Sequence, residues 1–155
     1  MKLDFFYKSI ALFLAAMFFV GDRCLKILAL VRFDSEPWPL LGSWLTFDFT
    51  PNYNIAFSLP LGGTWLLWLT GFIIIGLMAF IVYLFWRRQS DMKFAWPLIF
   101  LLLGSVSNFI DRLQLSYVVD YLSGRYFSVF NLADVMITGS VIWILILSYS
   151  LGKKR

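Results

Sequence analysis

The longest uncharged apolar run, WLLWLTGFIIIGLMAFIVYLFW from residue 65 to 86, covers 22 positions. At about 1.5 Å of rise per residue, a helix of that length crosses a hydrocarbon core of about 30 Å. Two more apolar runs, at about 94–112 and 134–151, are long enough to span once their aromatic flanks are included. A fourth candidate, at about 5–30, has the short uncharged core SIALFLAAMFFVG. Lys8 can snorkel to the interface there, and the helix can continue past Asp22. The pattern predicts four transmembrane helices.

Between the first and second candidates the periodicity changes. Leu45, Phe47 and Phe49 alternate with Thr46, Asp48 and Thr50, ahead of Pro51-Asn52 and a second apolar run from Ile55 to Leu59. Alternation followed by a turn signal predicts a small hairpin with one apolar face. The expected architecture is an all-α membrane protein, a single domain over residues 1–155, with a β-rich outer loop at 33–63 and a second outer loop at 113–133. The small hairpin is expected on the outer face.

Composition agrees with this solvent. The chain is 61% hydrophobic, 20% aromatic and 14% charged, with mean hydropathy +0.80, too little polar surface to cover a soluble domain. Trp38, Trp44, Trp65, Trp68, Trp86 and Trp96 cluster near the span ends, as interfacial aromatics do. With four spans, one side of the membrane receives Lys2, Lys8, Arg87, Arg88, Lys93, Lys153, Lys154 and Arg155, against the acids Asp4 and Asp91. The other side carries five basic residues and seven acids. Both termini are therefore predicted cytoplasmic. The net charge of +4 reports topology, and no basic and aromatic motif for nucleic acid is present. Lys2 and Lys8 before an apolar stretch and Cys24 imitate a lipoprotein signal peptide. Gly21-Asp22-Arg23 do not supply the small residues of a cleavage site, so the segment reads as an uncleaved helix.

In such a chain each buried acid asks for a partner. Asp22 has Lys26 four residues on, acid first, on the same helical face. Asp111 and Arg112 are adjacent, so their side chains diverge and must find partners elsewhere. Asp120 and Asp134 have no base at helical pairing distance. Asp134 opens the last helix, where a carboxylate serves as an N-terminal cap. Alternatively, the 13-residue connection brings Asp120 back beside Asp134. Two carboxylates sharing a site cannot easily both ionise, which yields one acid and one base.

Elimination narrows the chemistry. The chain has no His, which excludes His-assisted serine or cysteine catalysis and His-ligated metal. Ser90 and Lys93 lie on a short charged loop that reads as a solvated turn. No nucleotide or calcium motif occurs. No cofactor and no metal are expected.

The blocks DRCLK, NYNIAFS, GSVSNFIDR, YVVDY and FNLAD, in that order, resemble the lipoprotein signal peptidase family, also called signal peptidase II. The resemblance runs from about residue 20 to 150. It implies four transmembrane helices with a β-cradle, and two aspartates that cleave a lipoprotein precursor before its diacylglyceryl-modified cysteine. The aspartates fall on Asp120 and Asp134. Asn108 and Asn131 match polar residues lining the site, Arg112 a ligand-contacting arginine and Asn52 the asparagine of an NxGxAF block. Asp22, Lys26 and Asp111 match supporting polar positions. Leu25, Asn54 and Ser107 depart from the pattern, the last two standing where it has Gly. The implied protein is a monomer of the bacterial inner membrane, with its site near the outer face. Its partners are a diacylglyceryl-modified prolipoprotein and membrane lipids. A non-cleaving binder of lipidated precursors and a proton-coupled transporter subunit are the rival readings.

Overall fold

The computed structural model describes residues 2–32, 36–53, 64–86 and 92–153. In chain order the elements are α1 (Lys2–Val31), β1 (Trp38–Pro39), β2 (Leu45–Asn52), α2 (Thr64–Trp86), α3 (Met92–Leu115), β3 (Val118–Gly124) and α4 (Leu132–Gly152).

Three described helices are long and apolar enough to cross a membrane, over Leu67–Trp86, Lys93–Leu115 and Leu132–Gly152. α1 is longer, at 30 residues, but carries Asp22, Arg23 and Lys26 in its second half. Its inward face reads Ala15, Asp22, Lys26 and Ala29, all buried, at separations of seven, four and three that define one helical stripe. Leu12, Phe13, Met17, Val20, Ile27 and Val31 are exposed on the other sides. Polar groups thus point in and apolar groups out, the arrangement a lipid solvent favours.

α3 is the central helix and packs against α1, α2 and α4. Its tightest approach is at Gly104, where a Cβ would lie 2.7 Å from the Ala133 carbonyl oxygen of α4. That glycine lets the two helices meet backbone to backbone. Toward the other end of the bundle, Ile81, Leu84 and Leu98 form an apolar cluster between α2 and α3.

The three strands form an antiparallel sheet of order β1-β2-β3 at the end of the bundle where α1 and α3 finish and α4 begins. Its apolar cluster of Phe47, Val119 and Tyr121 packs on Ala29, with Leu25, Leu115 and Leu132 around it. Ser116, with φ of 68°, is a left-handed residue that ends α3, and its N–H reaches the Arg112 carbonyl at 3.1 Å.

Two expectations about this region need correction. Pro51 and Asn52 do not form a turn: they continue β2, opposite Val119 and Val118. β1 pairs only with Thr46 and Phe47, so at Pro51 the other side of β2 has no described strand, and proline's missing N–H is tolerated there. The described partners of β2 are therefore β1 and β3, while the run from Ile55 to Leu59 lies outside the described residues, as does Asn54. The second correction is that the link 113–133 is not all loop, because it supplies β3.

Register is broken once. Phe47 faces Leu122 and Thr50 faces Asp120, so three steps along β2 match two along β3. The extra residue is a β-bulge. Without it Phe49 would face Asp120, and Asn52 would turn to the opposite side of the sheet.

Candidate active site

The carboxylates of Asp120 and Asp134 arrive from different elements. Asp120 projects from the middle of β3 and is 1% exposed. Asp134 sits in the first turn of α4 and is half-buried. Asn131 joins them: its side-chain Nδ2 donates to Asp120 Oδ1 at 2.7 Å, and its backbone N–H donates to Asp134 Oδ2 at 3.2 Å. Asn131 Oδ1 in turn accepts from the Asp134 N–H at 2.9 Å, a reciprocal capping box. Asp134 is therefore both a helix cap and a member of the acid pair.

Each acid has a second amide donor. Asn52 Nδ2 donates to Asp120 Oδ2 at 2.8 Å, a contact that depends on the bulge in β2. Asn108 Nδ2 donates to Asp134 Oδ1 at 2.8 Å. The Asn108 amide is oriented by Lys26, whose Nζ donates to its Oδ1 at 2.7 Å. An ammonium has no acceptor, so it fixes the oxygen of Asn108 inward and the NH2 group toward Asp134.

Behind this pair lies a charged cluster. Lys26 contacts Asp22 at 3.2 Å and Asp111 at 2.7 Å, all three within 1% exposure. Asp111 also accepts from Arg23 and from the backbone N–H of Val119 at 3.2 Å, next to Asp120. Asp22 accepts from the hydroxyls of Ser107 and Tyr121. Arg112, half-buried in the last turn of α3, adds its positive charge to the field of Asp134, Asp120 and Asp111.

The structure thus brings Asp22, Lys26, Asn52, Asn108, Asp111, Asp120, Asn131 and Asp134 into one hydrogen-bonded network, with Arg112 beside it. Arg23 and Tyr121 belong to that network although nothing in the pattern singled them out. Arg23 had a legible signal, a third charge within a buried stretch of helix, whereas the hydroxyl of Tyr121 had none. Ser107, a departure from the family pattern, uses its added hydroxyl to hold Asp22.

Burial pushes the Asp120 carboxyl up to about 7, and the negative charge of Asp134 adds to this. The amide donors Asn52 and Asn131 and the charge of Lys26 pull the other way. Near neutral pH Asp120 accordingly holds a proton in a large fraction of molecules. The arrangement can deliver a proton from one carboxyl and accept one at the other.

Helices of membrane-crossing length, with two carboxyls held together at one end of the bundle, make this an integral membrane protein. The sequence profile of Peptidase_A8, described as signal peptidase (SPase) II, matches residues 14–150. Proteins named lipoprotein signal peptidase align over most of their length. That of Microcystis aeruginosa is 34% identical over 83% of this chain and 84% of its own. That of Caldicellulosiruptor bescii is 35% identical over 80% of each. A solved bacterial membrane enzyme, determined by the in meso method at 2.3 Å, superposes with a TM-score of 0.77 over 95% of this chain and 92% of its own, at 22% identity. A second, at 1.9 Å, gives 0.72 at 24% identity. These two speak for the fold. The chain belongs to the signal peptidase II family and is an enzyme of that type.

Proposed function

We propose that this protein removes the signal peptide from diacylglyceryl-modified prolipoproteins, cutting before the lipidated cysteine, with Asp120 and Asp134 as its acid–base pair. One observation carries the reading: two acids from separate elements are held together by a single residue, Asn131, and by hydrogen bonds from amides. In the reaction, Asp134 takes a proton from water as its oxygen attacks the scissile carbonyl carbon. Asp120 gives its proton to the carbonyl oxygen. Collapse of the tetrahedral intermediate breaks the C–N bond: the proton taken up by Asp134 passes to the leaving amine, and as the carbonyl reforms its hydroxyl proton returns to Asp120. Water and two carboxyls balance the reaction without a cofactor.

The setting suits such a substrate. With α1 as a fourth span, both termini lie on the cytoplasmic side of the inner membrane, and the sheet end of the bundle, with the acid pair, lies at the outer face. There the acyl chains of a lipidated precursor remain in the bilayer while its scissile bond reaches water. Arg112 adds a positive charge beside the acids, suited to an anionic or carbonyl-rich stretch of the substrate.

The test is a gel-shift assay with purified protein in detergent and a diacylglyceryl-modified precursor. Wild type is expected to release the signal peptide. Asp120→Asn and Asp134→Asn should lower turnover by about 10²–10⁴-fold while remaining folded. Cleavage at the wild-type rate by either variant would refute the acid–base assignment. No cleavage by folded wild type would favour a protein that binds lipidated precursors without cutting them.

A further inference from the structure

A helix begins with four backbone N–H groups that lack partners within it. In α4 each has a partner, supplied by different parts of the molecule. The Asp134 N–H donates to Asn131 Oδ1 at 2.9 Å, and the N–H of Asn131 itself, at the cap, donates to Asp134 Oδ2 at 3.2 Å. The Ala133 N–H donates to Asp22 Oδ1 of α1 at 3.1 Å. The Leu132 N–H donates to the hydroxyl of Tyr121 at 3.0 Å, and that hydroxyl donates its own hydrogen to Asp22 Oδ1 at 2.9 Å.

Tyr121 follows Asp120 directly in β3. Successive strand residues point to opposite faces, so neighbouring positions reach the start of α4 by two routes. Asp120 reaches it through the side chain of Asn131, and Tyr121 through the backbone of Leu132. Between these attachments and Asp134 there is no more than one turn of helix. We infer that Tyr121 is a positioning residue for the reaction: its hydroxyl, with the carboxylate of Asp22, fixes the first turn of α4 and so sets Asp134 against Asp120.

The bland alternative is a core aromatic. Tyr121 is fully buried, and its ring lies 5.5 Å from that of Phe47, contacts that phenylalanine would retain. Only the hydroxyl can accept from one group while donating to another, so the two roles separate on a single oxygen atom. Asp22 is itself held from four directions, by Ser107, Lys26, Tyr121 and Ala133, which makes it a firm anchor.

The inference rests on the proposed acid pair, and the experiment keeps the two apart. Wild type, Tyr121→Phe and Asp134→Asn are purified full length in detergent, and cleavage of a diacylglyceryl-modified precursor is followed from pH 5 to 9. For Tyr121→Phe we expect kcat per folded enzyme to fall about 10- to 100-fold, as for a reacting group displaced by a fraction of an ångström to an ångström. KM should stay within about twofold, since the ring and the substrate surface are unchanged. The alkaline limb should move to lower pH as Asp134 draws away from Asp120, and the Leu132 and Ala133 amides should exchange hydrogen faster.

Wild-type kcat and pH profile in Tyr121→Phe, with Asp134→Asn inactive, would overturn the positioning role and leave the acid pair standing. Activity in Asp134→Asn would overturn the pair itself. Should Tyr121→Phe not fold, Asp22→Asn and Asp22→Ala decide the matter. Asparagine keeps an acceptor for Ala133 and Tyr121, so its kcat should exceed that of the alanine variant by about tenfold or more. Equal kcat values would overturn the proposal.

Discussion

Two clusters of buried acids lie side by side in this molecule, and they are built on opposite rules. Asp22 and Asp111 face Lys26 and Arg23, so two negative charges meet two positive ones. Asp120 and Asp134 are hydrogen-bonded by the neutral amides of Asn52, Asn108 and Asn131. Matched charge produces a clamp that ties α1, α3 and β3 together. A carboxyl pair held by amides keeps its mutual repulsion and can exchange a proton. Lys26 joins the two regions, because it completes the clamp and also orients Asn108 toward Asp134.

Breaking the clamp is expected to have the largest effect on the fold. Lys26→Met leaves Asp22 and Asp111 without their shared ammonium, a loss of about 3–5 kcal/mol for a buried ion pair stripped of one partner. The yield of folded protein and its thermal midpoint in detergent should both collapse. A midpoint near wild type would mean that the two regions are not energetically joined.

Asp120→Asn acts on the other region with the opposite sign. The folded protein holds the Asp120 proton up to about pH 7, against an ordinary value of 3.8, so folding takes up a proton between those values. Stability contributed by this group is therefore lost as pH rises through that window. A shift of this size corresponds to roughly 4 kcal/mol against the ionised form. Asparagine removes that penalty but gives up one acceptor, worth about 1–2 kcal/mol. The variant should unfold later than wild type by about 2 kcal/mol at pH 8, and near pH 4, where the penalty has gone and only the lost acceptor remains, earlier by about 1 kcal/mol. Wild-type turnover should decline above about pH 7 as Asp120 loses the proton it donates. Equal melting of the two proteins at pH 8 would remove the contrast between the clusters.

Gly104→Ala tests the helix contact that carries both. Its Cβ would lie 2.7 Å from the Ala133 carbonyl oxygen, so α3 and α4 must part, at about 1–3 kcal/mol. Turnover should fall along with the thermal midpoint, since Asp134 is the next residue. The smallest effect belongs to Ser116→Gly, which relieves a left-handed residue and should stabilise by about 1 kcal/mol or less. Turnover should be unchanged there.

The long apolar runs made the helices legible, because a helix in lipid needs little more than length and hydropathy. The sheet was less so. β3 reads Val118, Val119, Asp120, Tyr121, all buried, and a strand covered on both faces has no alternation to betray it. Its partner lies some 70 positions earlier, at the far side of two helices, as with Asn52 and Asp120. Pro51-Asn52 looked like a turn because local signals favour one there. The pairing of Asn52 with the acid of β3 depends on a bulge that no residue type announces. Among the site's parts, the acids stood out by being scarce in an apolar chain. The Tyr121 hydroxyl did not, since a tyrosine among aromatics looks like packing until its oxygen is seen between Asp22 and Leu132.

The anchoring of α4 also bears on the order of assembly. Its first turn is fastened by residues as far as 111 positions earlier in the chain, and contacts of that separation close late. A polypeptide still entering the membrane, or stalled before its last helix has docked, has no paired acids. With the proposed acid pair as the reacting groups, proteolytic competence is a property of the finished molecule alone.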